Sequence, residues 1–188
     1  MERRIVKSRL IMVAVILVLG DLLILQPALG EPVLSDQQKK ELVYKMYADY
    51  KKDFPTVKDI SPRKTMELMN NIAVVLVDTR KPAEMEVSML PNSVTKKKFM
   101  HNPNLYKEKT VVVYCTAGYR SGVFARQMAE KGITTFNLQG GILAWTLEGG
   151  KMYDANGETN RIHVFGKKWN YAPDGYEVVV FGLFGMIF

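Results

Sequence analysis

Cys115 and the residues that follow it have types and spacing that suit nucleophilic chemistry. The chain contains a single cysteine, and the sequence CTAGYRS places Gly118, Arg120 and Ser121 after it. If a strand ends at Cys115 and a helix begins near Ser121, amides of the loop and of the first helical turn point inward without intrahelical partners. With the helix dipole and Arg120, they favour the thiolate, while Gly118 allows the tight loop and Ser121 is the predicted N-cap. The pattern predicts a nucleophilic cysteine that acts on a small anion.

Two other interpretations of Cys115 have to be weighed against this prediction. A free cysteine at a strand end is often an inert, buried side chain, but the spacing of Gly118, Arg120 and Ser121 favours the nucleophile. A cysteine-dependent phosphatase would place one more residue between cysteine and arginine than the four found here, 116–119. The smaller loop suits a sulfane sulfur carried on the cysteine better than a phosphate group.

Strands and helices alternate on either side of this loop. The apolar runs at 72–78 and 110–114 predict strands buried on both faces, and TFNL at 135–138 predicts a third. A helix is predicted from about Ser121 to the closing Gly132, and a short helix within GGILAWTLEGG. The alternation predicts an α/β fold with a mainly parallel central sheet flanked by helices.

The order of these elements also predicts where the chemistry takes place. Asp78 and Cys115 each stand at the carboxyl end of a predicted strand. Ligands of open α/β sheets bind beyond those ends. We therefore expect Asp78 and Cys115 near one edge of the sheet.

The segments that flank the α/β region have patterns of their own. Ser35 and Gln38 form a capping box before an amphipathic helix with one apolar stripe, made of Leu42, Val43, Met46, Tyr47 and Tyr50. Asn156-Gly157 predicts a hairpin. The final apolar run, 175–188, predicts a strand packed on the domain or a tail that contacts a protein partner or a membrane. The predicted organisation is a helix and linker at 31–58, the α/β domain at 59–150 and an extension at 151–188.

Residues 1–30 have the pattern of a secretory signal. Four basic residues precede an apolar run, and Ala28 and Gly30 are the small residues before a predicted cut at Glu31. We expect an exported, periplasmic protein; the alternative is an uncleaved anchor that leaves the chain facing outward from a membrane. A chain with one cysteine cannot form an internal disulfide. If it is exported to an oxidising compartment, we expect its thiol to be buried or to have a function.

Composition limits the partners and cofactors. The net charge falls from +7 to +5 when residues 1–30 are removed, because four basic and two acidic residues are lost. The lysines are scattered and do not alternate with aromatic residues, so nucleic acid is not an expected partner. His101 and His163 are far apart and lack metal-ligand spacing, so we expect neither a metal nor a cofactor. Trp145 and Trp169 are expected to pack rather than to contact a ligand.

Four segments resemble the rhodanese homology domain in order and spacing. They are ISPRKTMELM before the first strand, Asp78-Thr79-Arg80 with Glu84 as the family's D-x-R…E segment, the loop C-T-A-G-Y-R-S as its C-x-x-G-x-R-S/T loop, and NLQGGILAW as its L-x-G-G-x-x-A-W signature. The resemblance covers residues 59–150, about half of the chain. The family's H-I-P-G-A segment is replaced here by S-M-L-P-N-S-V, which predicts an altered loop.

The resemblance implies a sulfurtransferase. Cys115 would take a sulfane sulfur from a small anionic donor such as thiosulfate, form a persulfide, and pass the sulfur to a thiol or to cyanide. The residues implied to bind substrate and persulfide are those of the loop: Thr116, Ala117, Gly118, Tyr119, Arg120 and Ser121. Asp78 and Arg80 are implied to organise the loop and the strand end. The alternative is a binding module of the same fold that carries sulfur or docks a partner protein.

Overall fold

The central feature of the fold is a five-stranded parallel sheet. The structure, a computed structural model, describes residues 33–70 and 73–180. The strands are β1 (Lys58–Ile60), β2 (Val74–Asp78), β3 (Val94–Thr95), β4 (Thr110–Tyr114) and β5 (Phe136–Leu138), in the spatial order β1-β5-β4-β2-β3. The predicted α/β fold with a mainly parallel sheet is confirmed. The short edge strands β1 and β3 were not predicted, because neither contains an apolar run.

Helices cover both faces of the sheet. They are α1 (Asp36–Lys51), α2 (Pro62–Met69), α3 (Pro82–Val87), α4 (Lys96–His101), α5 (Tyr119–Glu130) and α6 (Gly141–Leu147). The predicted capping box of α1 is present, with the Ser35 amide donating to Gln38 Oε1 at 2.9 Å and the Gln38 amide donating to Ser35 Oγ at 3.3 Å. Ser61 caps α2 by accepting from the Lys64 amide at 3.2 Å.

Alternate residues of the strands supply two apolar cores, one on each face of the sheet. Along β4, Val112 and Tyr114 face one core, whereas Val111 and Val113 face the other. The first core is completed by side chains of α1 and α6, and the second by side chains of α4 and α5. Burial of β4 on both faces explains the unbroken apolar run in its sequence.

Both flanking segments pack on the first core. Val43 of α1 and Ile162 and Val164 of the C-terminal extension are fully buried there. The predicted hairpin is confirmed, with β6 (Met152–Asp154) antiparallel to β7 (Gly157–Thr159). The extension continues with β8 (Arg161–His163), a 3₁₀ turn (Lys167–Trp169) and β9 (Glu177–Val179), which is parallel to β8.

Two predictions concern residues beyond the described ranges. The signal segment at 1–30 and residues 181–188 of the final apolar run lie outside the described residues. The described start of that run, 175–180, contains β9 (Glu177–Val179) with Val179 buried, so the predicted packed strand is confirmed there. Within the described ranges, no helix is both long enough and apolar enough to cross a membrane. Export and tail contacts stay predictions.

Candidate active site

Cys115 follows directly on β4, at the carboxyl edge of the sheet. Its side chain is buried, and Sγ accepts hydrogen bonds from the Gly118 amide at 3.2 Å and from Ser121 Oγ at 3.5 Å. The parallel register pairs Asp78 with Tyr114, the residue before the cysteine. The expected placement of Asp78 and Cys115 near one edge is therefore confirmed.

The helix after the loop begins earlier than the sequence indicated. α5 starts at Tyr119, and Gly118 is its N-cap with a left-handed φ of +94°. The prediction that Ser121 is the N-cap is therefore wrong. Because glycine adopts a positive φ without strain, the chain turns into the helix directly after the loop. Ser121 consequently lies in the first helical turn, buried, with its hydroxyl directed at the thiol.

Arg120 is held in place by a buried carboxylate. Its Nη1 and Nη2 donate to the two oxygens of Glu84 at 2.7 Å and 2.8 Å, and Nη2 also donates to Thr116 Oγ1 at 3.1 Å. Burial alone would raise the pKa of Glu84, but hydrogen bonds from Arg120, His163 and the Lys81 amide lower it below its ordinary value. Glu84 stays ionised at neutral pH and fixes the orientation of the arginine. The resemblance included Glu84 but gave it no role in the site.

Asp78 and Arg80 form a fully buried ion pair behind the loop. Arg80 donates from Nε at 3.0 Å and from Nη2 at 2.7 Å to the Asp78 carboxylate, and from Nη2 to the Ser88 carbonyl at 2.6 Å. The guanidinium lies 5.9 Å from the centroid of the Tyr114 ring. Through Arg80, the pair links the end of β2 both to Tyr114 at the end of β4 and to Ser88 in the segment after α3.

The segment after α3, S-M-L-P-N-S-V, is the one that differs from the H-I-P-G-A segment of the rhodanese pattern. The Tyr114 hydroxyl accepts from the Leu90 amide at 3.2 Å and donates to Ser93 Oγ at 3.0 Å. Asn92, which follows proline as the glycine does in the family's segment, adopts a φ of +53°. Asparagine tolerates left-handed backbone better than most other non-glycine residues, so the chain can turn at Asn92 without a glycine.

A second hydrogen-bond network, formed by Tyr47 of α1, Asn137 of β5 and Asp59 of β1, supports the cysteine loop. Asn137 Nδ2 donates to the Gly118 carbonyl at 3.0 Å and to the Tyr47 hydroxyl at 2.9 Å, and that hydroxyl donates to Asp59 at 2.8 Å. A Cβ on Gly118 would lie only 2.5 Å from the Tyr47 ring. The sequence indicated Tyr47 only as a packing residue, and it gave no signal for Asn137.

A pocket of about 260 Å³ opens in front of the thiol. Its lining comes from the cysteine loop, from α1 and from the C-terminal extension, and consists of Tyr50, Cys115, Thr116, Ala117, Tyr119, Arg120, Phe165 and Trp169. Trp169 packs edge to face on Phe165, as expected, and its side chain also forms part of the pocket wall. Trp145 is buried in the first core, as expected.

The histidines lie in different surroundings. His101 is exposed in the last turn of α4, whereas His163 is buried with Nδ1 3.4 Å from Glu84. Within residues 33–70 and 73–180, no group of three or more histidine, cysteine or acidic side chains could hold a metal ion. The polar groups around the Cys115 thiol are the Gly118 amide, the Ser121 hydroxyl and the side chain of Arg120.

Comparison with known proteins identifies the domain that carries this site. A family model for the rhodanese-like domain matches residues 61–148. A sulfurtransferase of Allochromatium vinosum is 34% identical over 80 residues, which are 40% of this chain and 75% of the relative. The uncharacterized protein slr1261 of Synechocystis is 32% identical over 94 residues, and this chain spans only about half (52%) of its length.

Solved structures with low sequence identity are also similar. A rhodanese-related protein of Thermoplasma volcanium, 22% identical, aligns over 50% of this chain and 96% of its own with a TM-score of 0.45. A thiosulfate sulfurtransferase of Pseudomonas aeruginosa, 17% identical, aligns over 64% of this chain and 23% of its own with a TM-score of 0.46. The match to three quarters of the Allochromatium protein shows the family. The chain belongs to the rhodanese-like domain family and has sulfurtransferases among its relatives.

Proposed function

We propose that this chain is a sulfurtransferase that carries sulfur on Cys115. The donor is a small sulfane-sulfur anion, for which thiosulfate serves as the model, and the acceptor is a thiol or cyanide. One observation carries the proposal: the Cys115 sulfur accepts hydrogen bonds from Gly118 and Ser121 on the floor of an open pocket. The sulfurtransferases among its relatives support the same reaction class.

In the first half-reaction, the Cys115 thiolate attacks the outer sulfur of the donor. A bond forms between Sγ and that sulfur, the donor's S–S bond breaks, and its electron pair leaves with sulfite. The product is a persulfide whose negative charge lies on the terminal sulfur. Donors fixed by the fold can stabilise this charge without reorganising, and the Gly118 amide and the Ser121 hydroxyl are already directed at the thiol.

In the second half-reaction, the acceptor attacks the terminal sulfur of the persulfide. Cyanide forms a new carbon–sulfur bond, the S–S bond of the persulfide breaks, and the electron pair returns to Cys115 as thiolate. A thiol acceptor, reacting as its thiolate, would leave as a persulfide by the same exchange. The two half-reactions need only one cysteine, which fits a chain that contains one.

Arg120 positions the anionic donor in this mechanism. Its pKa is raised although burial opposes the charged form, because Glu84 and Cys115 both interact with it. The bidentate contact with Glu84 holds the guanidinium beside the loop while about a third of the side chain remains exposed, at 32%. A pre-oriented cation of this kind lowers the entropy lost when the donor binds.

Mass spectrometry of the intact chain tests the proposal. After incubation with thiosulfate and removal of excess donor, we expect the chain to gain the mass of one sulfur atom, located on Cys115 by peptide mapping. Treatment with a reductant should remove the added mass. A Cys115→Ser chain treated in parallel should gain nothing. A wild-type chain that stays unmodified under these conditions would contradict the persulfide.

A further inference from the structure

The two oxygens of the Glu84 carboxylate each lie between two nitrogen atoms. Oε2 accepts from Arg120 Nη1 at 2.7 Å and from the Lys81 amide at 2.9 Å. Oε1 accepts from Arg120 Nη2 at 2.8 Å and lies 3.4 Å from His163 Nδ1. An ionised carboxylate has about four acceptor sites, so these four nitrogen atoms occupy all of them.

His163 is the member of this group that comes from outside the rhodanese-like domain. The family model matches residues 61–148, whereas His163 ends β8 of the C-terminal extension. The hydrogen bond from His163 contributes to the lowered pKa of Glu84. Both side chains are buried, and a hydrogen bond to a charged group is strong where water is excluded.

The backbone around His163 is fixed independently of Glu84. The Ser88 hydroxyl, in the segment after α3, donates to the Arg161 carbonyl at 2.7 Å. The Val164 amide extends the pairing of β8 with β9 by one more hydrogen bond. Ile162 and Val164 are fully buried in the first core. Packing and backbone hydrogen bonds therefore hold His163 in place beside the carboxylate.

The same segment also contacts the arginine directly. Residues two apart in an extended chain point to the same side. Two residues after His163, the ring of Phe165 lies with its centroid 5.7 Å from the Arg120 guanidinium. A guanidinium near an aromatic face is attracted to it. The extension thus contacts both members of the Glu84–Arg120 pair.

The orientation of the carboxylate determines that of the guanidinium. Two parallel hydrogen bonds require the two groups to lie nearly in one plane. The last torsion of a glutamate side chain is soft, so the contact with Arg120 does not fix the plane by itself. The Lys81 amide holds Oε2 from the start of α3, and His163 holds Oε1 from β8. Without the second contact, the carboxylate rotates more easily and the guanidinium moves with it.

We propose that His163 is a positioning residue, which holds the Glu84 carboxylate so that Arg120 is directed at an anion approaching Cys115. The identification of this anion as the sulfur donor rests on the proposed function. His163 does not contact the donor and takes no part in the sulfur exchange. The C-terminal extension thereby completes a site whose cysteine loop belongs to the rhodanese-like domain.

Alkylation of Cys115 measures the position of Arg120 without any sulfur transfer. Iodoacetate and iodoacetamide attack the same thiolate and differ mainly in charge. The ratio of their rate constants therefore reports the cation beside the thiol, and changes in thiol reactivity cancel. His163→Leu removes the donor nitrogen at similar size and should lower this ratio about five-fold, because the displaced guanidinium attracts the anion less. Arg120→Met gives the lower limit of the ratio.

Two further substitutions at the same position test the hydrogen bond itself. The side-chain nitrogen of asparagine lies close to where histidine has Nδ1, and that of glutamine close to where it has Nε2. His163→Asn should therefore keep the wild-type ratio to within about two-fold. His163→Gln should lower the ratio as His163→Leu does, and it serves in place of the leucine variant if that chain does not fold.

Ile162→Val is the matched control for loosening of β8. Ile162 precedes His163 on the strand and packs in the first core, so its truncation should lower the midpoint of thermal unfolding and leave the alkylation ratio unchanged. In the sulfur reaction, His163→Leu should raise the KM for thiosulfate about five-fold with kcat nearly unchanged, the pattern expected when binding alone is weakened.

The two measurements separate this inference from the proposed function. A wild-type alkylation ratio in His163→Leu, or an equal fall in Ile162→Val, would overturn the positioning role and leave the proposed function standing. The expected ratios in a set of chains of which none, the wild type included, turns over thiosulfate would overturn the proposed function and leave the positioning of Arg120 by His163 standing.

Discussion

Replacing Cys115 with serine is expected to abolish turnover of thiosulfate and cyanide. We expect kcat to fall by more than about 10⁴-fold, the order of loss when a catalytic nucleophile is removed. The hydroxyl is not ionised at neutral pH and does not form a carrier equivalent to a persulfide. The measurement is the rate of thiocyanate formation by the wild-type and variant chains at equal concentration.

The control for this variant is its fold. Serine is close in size to cysteine, and the side chain at 115 is only 2% exposed, so the substitution changes little volume in the loop. The midpoint of thermal unfolding should stay close to that of the wild-type chain. A folded Cys115→Ser chain that kept most of the wild-type turnover would mean that another group carries the sulfur.

Replacing Asp78 with alanine is expected to give the largest loss of stability among the ion pairs described. Both members of the Asp78–Arg80 pair have fully buried side chains, at 0% exposure. The variant leaves the Arg80 guanidinium buried without its carboxylate, and breaking a buried pair in this way costs about 3–5 kcal/mol of unfolding free energy. Chemical denaturation of the two chains measures the difference.

An exposed ion pair supplies the matched control. Glu158 and Lys151 meet at 2.8 Å, but both side chains are more than half exposed, at 52% and 62%. Glu158→Ala should therefore cost under about 1 kcal/mol. The double replacement Asp78→Ala with Arg80→Met should recover part of the loss, because it removes the unpaired charge as well. A cost for Asp78→Ala no larger than that for Glu158→Ala would contradict the role given to the buried pair.

The sequence was informative where local patterns decide the structure. Unbroken apolar runs predicted β2 and β4, because central parallel strands are covered on both faces. The capping box of Ser35 and Gln38 predicted the start of α1, and Asn156-Gly157 predicted the hairpin. The cysteine loop was also visible, because its residues are neighbours in the chain.

Features set by tertiary contacts were not predictable in the same way. The start of α5 depends on the left-handed φ of Gly118, whereas the sequence favoured Ser121, three residues later, as the N-cap. The pocket wall needs Tyr50 and Trp169 to meet across 119 positions of the chain. No spacing rule links such residues, because their contact depends on how α1 and the extension pack on the same core. Asn137 and Glu84 likewise reach the site through hydrogen bonds to residues that are distant in the sequence, Gly118 and Arg120.

Discharge of a preloaded chain tests sulfur carriage by Cys115 most directly. The wild-type chain is loaded with thiosulfate, freed of donor and then mixed with cyanide alone. We expect one thiocyanate for each loaded chain, with the mass of Cys115 returning to that of the free thiol. Extra sulfur that remained on Cys115 while no thiocyanate formed would contradict transfer through this residue, as would equal thiocyanate from a Cys115→Ser chain treated in the same way.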